Sequence, residues 1–169
     1  MHSGTRGGGI LVYLTLTGWG IGMIQSYGGA AAMIRDFTPE LPIVGIRPHL
    51  IEARAREVSA TFPGDVLYAV KCNDHPVVLQ ALHAAGVRQF DTTSIKEIRR
   101  VRELLPNAIC HFMHPVKSVE AIAEAYEQHG VRRFVLDHPR ELDKILRATR
   151  GASDLELFVR LAVPGEGAL

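Results

Sequence analysis

The sequence predicts an α/β fold, part of a (β/α)8 TIM barrel with about five strands present, and three observations predict it. Short apolar runs alternate with amphipathic stretches at a spacing of roughly 20–25 residues, the pattern of parallel strands joined by crossover helices. The runs are nearly continuous in apolar residues, as strands are when both faces are covered. A polar, chemically capable residue follows one run after another: Lys71, Asp91, His114 and Asp137, with Arg160 in the tail of the last. A barrel gathers its site at the C-terminal ends of several strands, so this third observation favours a barrel over a doubly wound sheet.

The elements follow in order from Pro42. Ile43 to Ile46 reads as a short apolar strand. Pro48 then opens a helix with Leu50, Ile51, Ala55 and Val58 at helical spacing, which ends near Pro63-Gly64. Val66 to Val70 is a buried-type strand, and a helix from about Pro76 to Ala85 is stopped by Gly86. Arg88 to Asp91 is the next strand. Ser94 caps the helix after it, Glu97 holds the capping-box position, and Ile98, Val101, Leu104 and Leu105 mark its apolar side. Ala108 to Met113 is a strand, Val116 to His129 a helix closed by Gly130, and Arg133 to Leu136 a strand. Pro139 to Thr149 is a helix, and Leu155 to Leu161 a final strand. Met113, Phe112 and Phe134 read as core, and His75 and His83 as surface or interface positions. Counted from Val66 there are five barrel strands, where a full barrel has eight in about 250 residues.

Composition excludes several classes. With 169 residues and 47% hydrophobic content, the chain holds one modest core and is no disordered segment. A formal net charge of +1 argues against a nucleic-acid partner. The clusters Arg99-Arg100-Val101-Arg102 and Arg132-Arg133 read as solvated faces. Two cysteines, Cys72 and Cys110, without paired spacing suit a reducing, cytoplasmic setting. Cys110, His111 and His114 suggest a metal site only superficially, because neighbours on a strand point to opposite faces; no metal is expected.

Residues 1–37 differ in kind. From Ile10 to Ile34 no residue is charged, and the run contains Gly18, Gly20, Gly22, Gly28 and Gly29. A membrane anchor or a signal peptide with Ala30-Ala31-Ala32 as its cleavage site is the weaker reading, since glycine and threonine dilute the run and only Arg6 flanks it. Gly18-x-Gly20-x-Gly22 is not the G-x-G-x-x-G nucleotide loop, and no acidic residue follows at the required distance. The preferred reading is a glycine-rich, poorly ordered extension over 1–37, with the barrel part over 38–169 and no membrane partner.

A lysine at a barrel mouth either offers a fixed charge or, partly desolvated, acts as an amine nucleophile toward an aldehyde. Lys71 gains the second reading from its context. Tyr68-Ala69-Val70-Lys71-Cys72-Asn73, followed by Phe90-Asp91-Thr92-Thr93-Ser94 with Glu97, resembles the ornithine/diaminopimelate/arginine decarboxylase family of fold-type III pyridoxal-phosphate enzymes. Cys-Asn after the lysine is most similar to the ornithine decarboxylase version. The resemblance continues through His114-Pro115-Val116-Lys117, where the family more often has Asn-Pro-x-Lys. It runs on through Phe134-Val135-Leu136-Asp137 with Glu141-Leu142, to Val159-Arg160-Leu161.

The resemblance implies a barrel of the alanine-racemase-like type with pyridoxal 5'-phosphate as cofactor. It implies Lys71 as the Schiff-base lysine that the substrate amine displaces, and Ala69 lining the cofactor site. Asp91 and Glu97 would then set the charge and position of that lysine, and Arg160 would lie behind the cofactor and meet Asp91. On residue type alone, Asp91 and Arg160 read equally as a salt bridge between strand ends, and Glu97 as a helix cap. The implied activity is amino-acid decarboxylation in polyamine biosynthesis, with ornithine first and lysine or diaminopimelate behind, by a full-length homodimer. A stacking histidine, a glycine-rich phosphate cradle, an acidic partner for the ring nitrogen and a C-terminal β-domain complete such a site. None falls within these residues, so the chain reads as an N-terminal part. The alternatives are an alanine-racemase-like enzyme and a non-catalytic homologue that binds a partner.

Overall fold

A computed structural model of the chain describes residues 10–13, 24–36 and 44–162. The Gly18-x-Gly20-x-Gly22 run and the tail from Gly165 lie outside the described residues. Among those described, no helix is long and apolar enough to cross a membrane. The elements fall into two compact units, the first reaching Pro63 and including His75–Gly86, the second formed by Gly64–Asp74 and the chain from Val87.

In the first unit, β1 (Ile10–Tyr13) pairs antiparallel with β2 (Ile24–Tyr27) and with β3 (Val44–Ile46). The strand at Val44 is therefore present, but it belongs to a separate antiparallel sheet. Its partner lies in the glycine-rich stretch, which a reading of strand–helix period could not reveal. A short helix α1 (Ala30–Asp36) follows β2. Helix α2 (Pro48–Thr61) packs on α3 (Pro76–Ala84). Both begin with proline at the first helical position, where a missing N–H is harmless. Gly86 ends the α3 region at φ +105, which a side chain would strain.

The second unit carries the α/β fold expected, a five-stranded parallel sheet in the order β4-β5-β6-β7-β8. Its strands are β4 (Leu67–Ala69), β5 (Gln89–Thr92), β6 (Ile109–Phe112), β7 (Arg133–Leu136) and β8 (Glu156–Val159). Helices α4 (Ile95–Leu104), α5 (Val119–Glu127) and α6 (Pro139–Ala148) follow β5, β6 and β7. Helix α4 packs on β5 and β6, α6 on β7, and α5 lies between its helical neighbours. The face of the sheet beneath them holds Phe90, Phe112 and Phe134, all essentially inaccessible, together with buried Ile98, Ile122 and Ile145 from the helices. Met113, read as core, is only half-buried, because it stands past the end of β6.

Two boundaries depart from expectation for stated reasons. Strand β4 stops at Ala69 because Val70–Cys72 forms a 3-10 turn, closed by the Asn73 N–H donating to the Val70 carbonyl. Helix α5 starts at Val119 and not Val116, since Ser118 is its cap and accepts from the Ala121 N–H at 3.1 Å.

Candidate cofactor site

Strand β4 and its turn deliver Lys71 to the C-terminal end of the sheet, where its side chain is exposed. The turn is held from two sides. The Tyr68 hydroxyl donates to the Asn73 carbonyl at 3.2 Å, and Arg100 of α4 lies 3.7 Å from Asp74. Ala69, the last residue of β4, is the register partner of Asp91 on β5. Residues in register on parallel strands share a face, so Ala69 and Asp91 look out from the side opposite the phenylalanines.

Asp91 is half-buried, and its Oδ1 is buried with no hydrogen-bond partner. Burial pushes its carboxyl above the ordinary range; the charge of Lys71 opposes that shift and the charge of Glu97 adds to it. Asp91 thus feels the charges of both Lys71 and Glu97. Glu97 is also a cap, and an unusual one. It stands third in α4, its N–H donating to Ser94 Oγ at 3.3 Å, while its carboxylate receives the Thr93 N–H at 2.8 Å and the Thr93 hydroxyl at 2.9 Å. A capping-box glutamate usually reaches the N-cap residue; here it reaches one residue further back. The capping role read for Glu97 is the one these bonds display.

Arg160 follows β8 and is exposed, its N–H donating to the Leu136 carbonyl at 2.9 Å. It lies three strands from Asp91, and no ion pair joins the two among the described residues. The structure thus brings Lys71, Ala69, Asp91 and Glu97 together and leaves Arg160 apart.

Neighbouring features sort cleanly. Ala69, Asp91, His111, Arg133 and Glu156 form one register row across all five strands. His111 is buried, its Nε2 lying 2.8 Å from Gln89 Oε1 and its Nδ1 without a partner, and Arg133 pairs with Glu156 at 2.8 Å. Cys110 faces the other way, and burial pushes its thiol up to about 12, so it stays protonated. The basic clusters are engaged within the fold: Arg99 grips Glu124 at 2.6 Å, Arg102 donates to the Ala108 carbonyl, and Arg132 pairs with Asp154. His75 and His138 serve as helix caps, each accepting an N–H through Nδ1, and each precedes the proline that opens its helix. The His-Pro pairing is the sequence signal for these caps.

An aldehyde cofactor fits this set. Lys71 offers an accessible primary amine, and Asp91 presents a buried carboxyl oxygen that the protein leaves unsatisfied beside it.

Comparison with known proteins agrees. The family model for the pyridoxal-dependent decarboxylase, pyridoxal binding domain, matches residues 49–167. A lysine/ornithine decarboxylase of Selenomonas ruminantium is 35% identical over 105 residues, which is 62% of this chain and 25% of that protein. An ornithine decarboxylase of Panagrellus redivivus is 34% identical over 123 residues, 72% of this chain and 27% of that protein. The crystal structure of a lysine/ornithine decarboxylase from Vibrio vulnificus, complexed with putrescine, superposes with a TM-score of 0.58 at 33% identity, over 68% of this chain and 31% of that one. The chain spans about a quarter of the length of the curated relatives it matches. It belongs to the pyridoxal-dependent decarboxylase family, which it matches over the pyridoxal-binding domain.

Proposed function

We propose that the chain is the lysine-bearing part of a pyridoxal-phosphate-dependent amino-acid decarboxylase, with Lys71 as the covalent anchor of the cofactor. The observation that carries this reading is an exposed Lys71 whose charge reaches the partly buried Asp91, with Asp91 Oδ1 unsatisfied, at the C-terminal ends of adjacent strands. When bound, pyridoxal phosphate supplies the electron sink that makes loss of a carboxylate feasible. The residues of this chain are assigned the following parts. Lys71 Nζ must shed a proton before it can act as a nucleophile, and Asp91, whose carboxylate is made a stronger base by burial, is assigned to take it. Glu97 fixes the Thr93 backbone, and with it the end of β5 on which Asp91 stands. Ala69 gives the small side chain that leaves room beside Lys71. Arg160 is assigned the far side of the cofactor on the strength of the family resemblance.

Ornithine is the substrate favoured, because Cys72-Asn73 after the lysine resembles ornithine decarboxylases and because relatives named for ornithine match the chain. The family resemblance extends the proposal to polyamine synthesis by a homodimer, and the two unpaired cysteines favour a cytoplasmic setting for it. The test is chemical trapping. Incubation with pyridoxal 5'-phosphate is expected to give visible absorbance, and borohydride followed by peptide mapping to mark Lys71 alone. Label spread over Lys96 and Lys144, or persisting in a Lys71→Arg variant, would overturn the assignment.

A further inference from the structure

A second lysine has the opposite character to Lys71. The side chain of Lys117 is fully buried, with relative exposure of 0%, and that of its partner Glu141 is 6% exposed. The three ammonium hydrogens have three acceptors: Glu141 Oε1 at 2.9 Å, the His114 carbonyl at 2.9 Å and the Val135 carbonyl at 2.7 Å. The Lys117 N–H also donates to Glu141 Oε1, at 3.2 Å, and Lys144 takes the other carboxylate oxygen at 2.6 Å. An ion pair this deep is poor at raising stability, since two apolar side chains would serve as well. Its placement points to another purpose. The acceptors come from three places at the C-terminal edge of the sheet: the loop after β6, the body of β7 and the first turn of α6.

The loop His114–Lys117 has little else to hold it. Val116 is 66% exposed, His114 is exposed, and Lys117 is the one buried residue of the four. The loop is rooted beside the candidate site. The Met113 N–H donates to the Thr92 carbonyl at 2.8 Å, and Thr92 lies between Asp91 and the Thr93 that Glu97 grips. One run of bonds thus leads from Lys117 through His114 and Met113 to the end of β5.

We propose that Lys117 is a positioning residue of the cofactor site, its buried ammonium and Glu141 forming a clamp that fixes the loop His114–Lys117 at the rim next to Asp91. The clamp rests on the reading of Lys71 as the cofactor's anchor for its functional meaning, though not for its effect on the loop. Lys117 itself takes no cofactor, because its amine is enclosed and fully engaged.

The test separates positioning from plain stabilisation. Lys117→Met alone leaves the buried Glu141 with Lys144 as its remaining counter-charge and lowers the melting temperature; Lys117→Met with Glu141→Leu removes both buried charges and restores it. In the double variant, amide exchange over residues 113–118 is expected to quicken about tenfold, the loss of one charged hydrogen bond, although the protein is as stable as the wild type. Borohydride-trapped pyridoxal 5'-phosphate on Lys71 is expected to form about tenfold more slowly. A double variant with wild-type exchange and wild-type capture overturns the proposal. A wild-type chain that captures no cofactor at Lys71 refutes that reading instead, and the exchange measurement then still decides the clamp. Should the double variant not fold, Glu141→Gln keeps the volume and one acceptor. Its exchange is expected to lie between the two, and no quickening there refutes the clamp.

Discussion

At the scale of single residues, Asp91 is held in a state that harms the fold. Its carboxyl is pushed above the ordinary range, first by burial, then by Glu97, against the relief of Lys71. The folded chain therefore binds a proton more tightly than the unfolded one at this position. Stability from Asp91 is intact below its ordinary value and lost as pH rises through the raised one. Asp91→Asn should then be more stable than the wild type at pH 7, by a few tenths to about 1 kcal/mol since the group is partly solvated, and equal to it below about pH 4. Melting temperatures at the two pH values check the sign. The same variant should trap cofactor on Lys71 less well, a stability gain set against a functional loss. Undiminished trapping would leave Asp91 a strand-end residue and nothing more. Lys71 and Asp91 were legible in the sequence because each follows an apolar run. Lys117 and Glu141 were visible as motif residues, but their burial was not, since nothing in the letters shows that one lysine turns inward and another outward.

At the scale of elements, most boundaries were legible through punctuation. Proline opens α2, α3 and α6, and Gly130, at φ +67, closes the α5 region in a conformation suited to glycine. What the letters hid were interactions between elements. Antiparallel pairing of β3 with β1 depends on a partner distant in sequence, whereas the 3-10 turn under Lys71 and the late start of α5 rest on local bonds, from the Asn73 N–H to Val70 and from the Ala121 N–H to Ser118. Helix α4 shows how local chemistry bears on the site. Ser94 Oγ accepts from the Glu97 N–H, and the Glu97 carboxylate in turn holds Thr93. Ser94→Ala should cost about 1 kcal/mol, the usual value of an N-cap. It should also loosen Thr93, so amide exchange at 93–97 is expected to rise before the rest of α4 does. A loss of stability spread evenly over the helix would show that cap and site are independent.

At the scale of the whole sheet, the row Ala69, Asp91, His111, Arg133 and Glu156 sets four polar side chains on neighbouring strands on the side opposite Phe90, Phe112 and Phe134, and His111 is its buried member. With Nε2–H assigned to donate to Gln89 Oε1, the ring is neutral and Nδ1 is an acceptor without a donor. Burial first and then Arg133 lower its pKa from 6.5 to about 4, with Glu156 and Asp65 pulling the other way. The unfolded chain takes up a proton here as pH falls past 6.5, and the folded chain refuses it until about 4. The neutral ring thus supports the fold fully above pH 6.5, and that support drains away as pH falls to about 4. Carboxylates act lower down. Glu124, held down to about 2 by Arg99, and Glu156, held down by Arg133, lose their contribution only below the ordinary carboxylate value. Acid unfolding should therefore come in two limbs, with the histidine limb first. His111→Gln keeps a polar side chain but removes the titration, so its melting temperature should stay level between pH 7 and about pH 5, where that of the wild type declines. Equal slopes in the two proteins would show that the ring is already charged in the folded state, and the row would then have to be read as an ion-pair network instead of a neutral one.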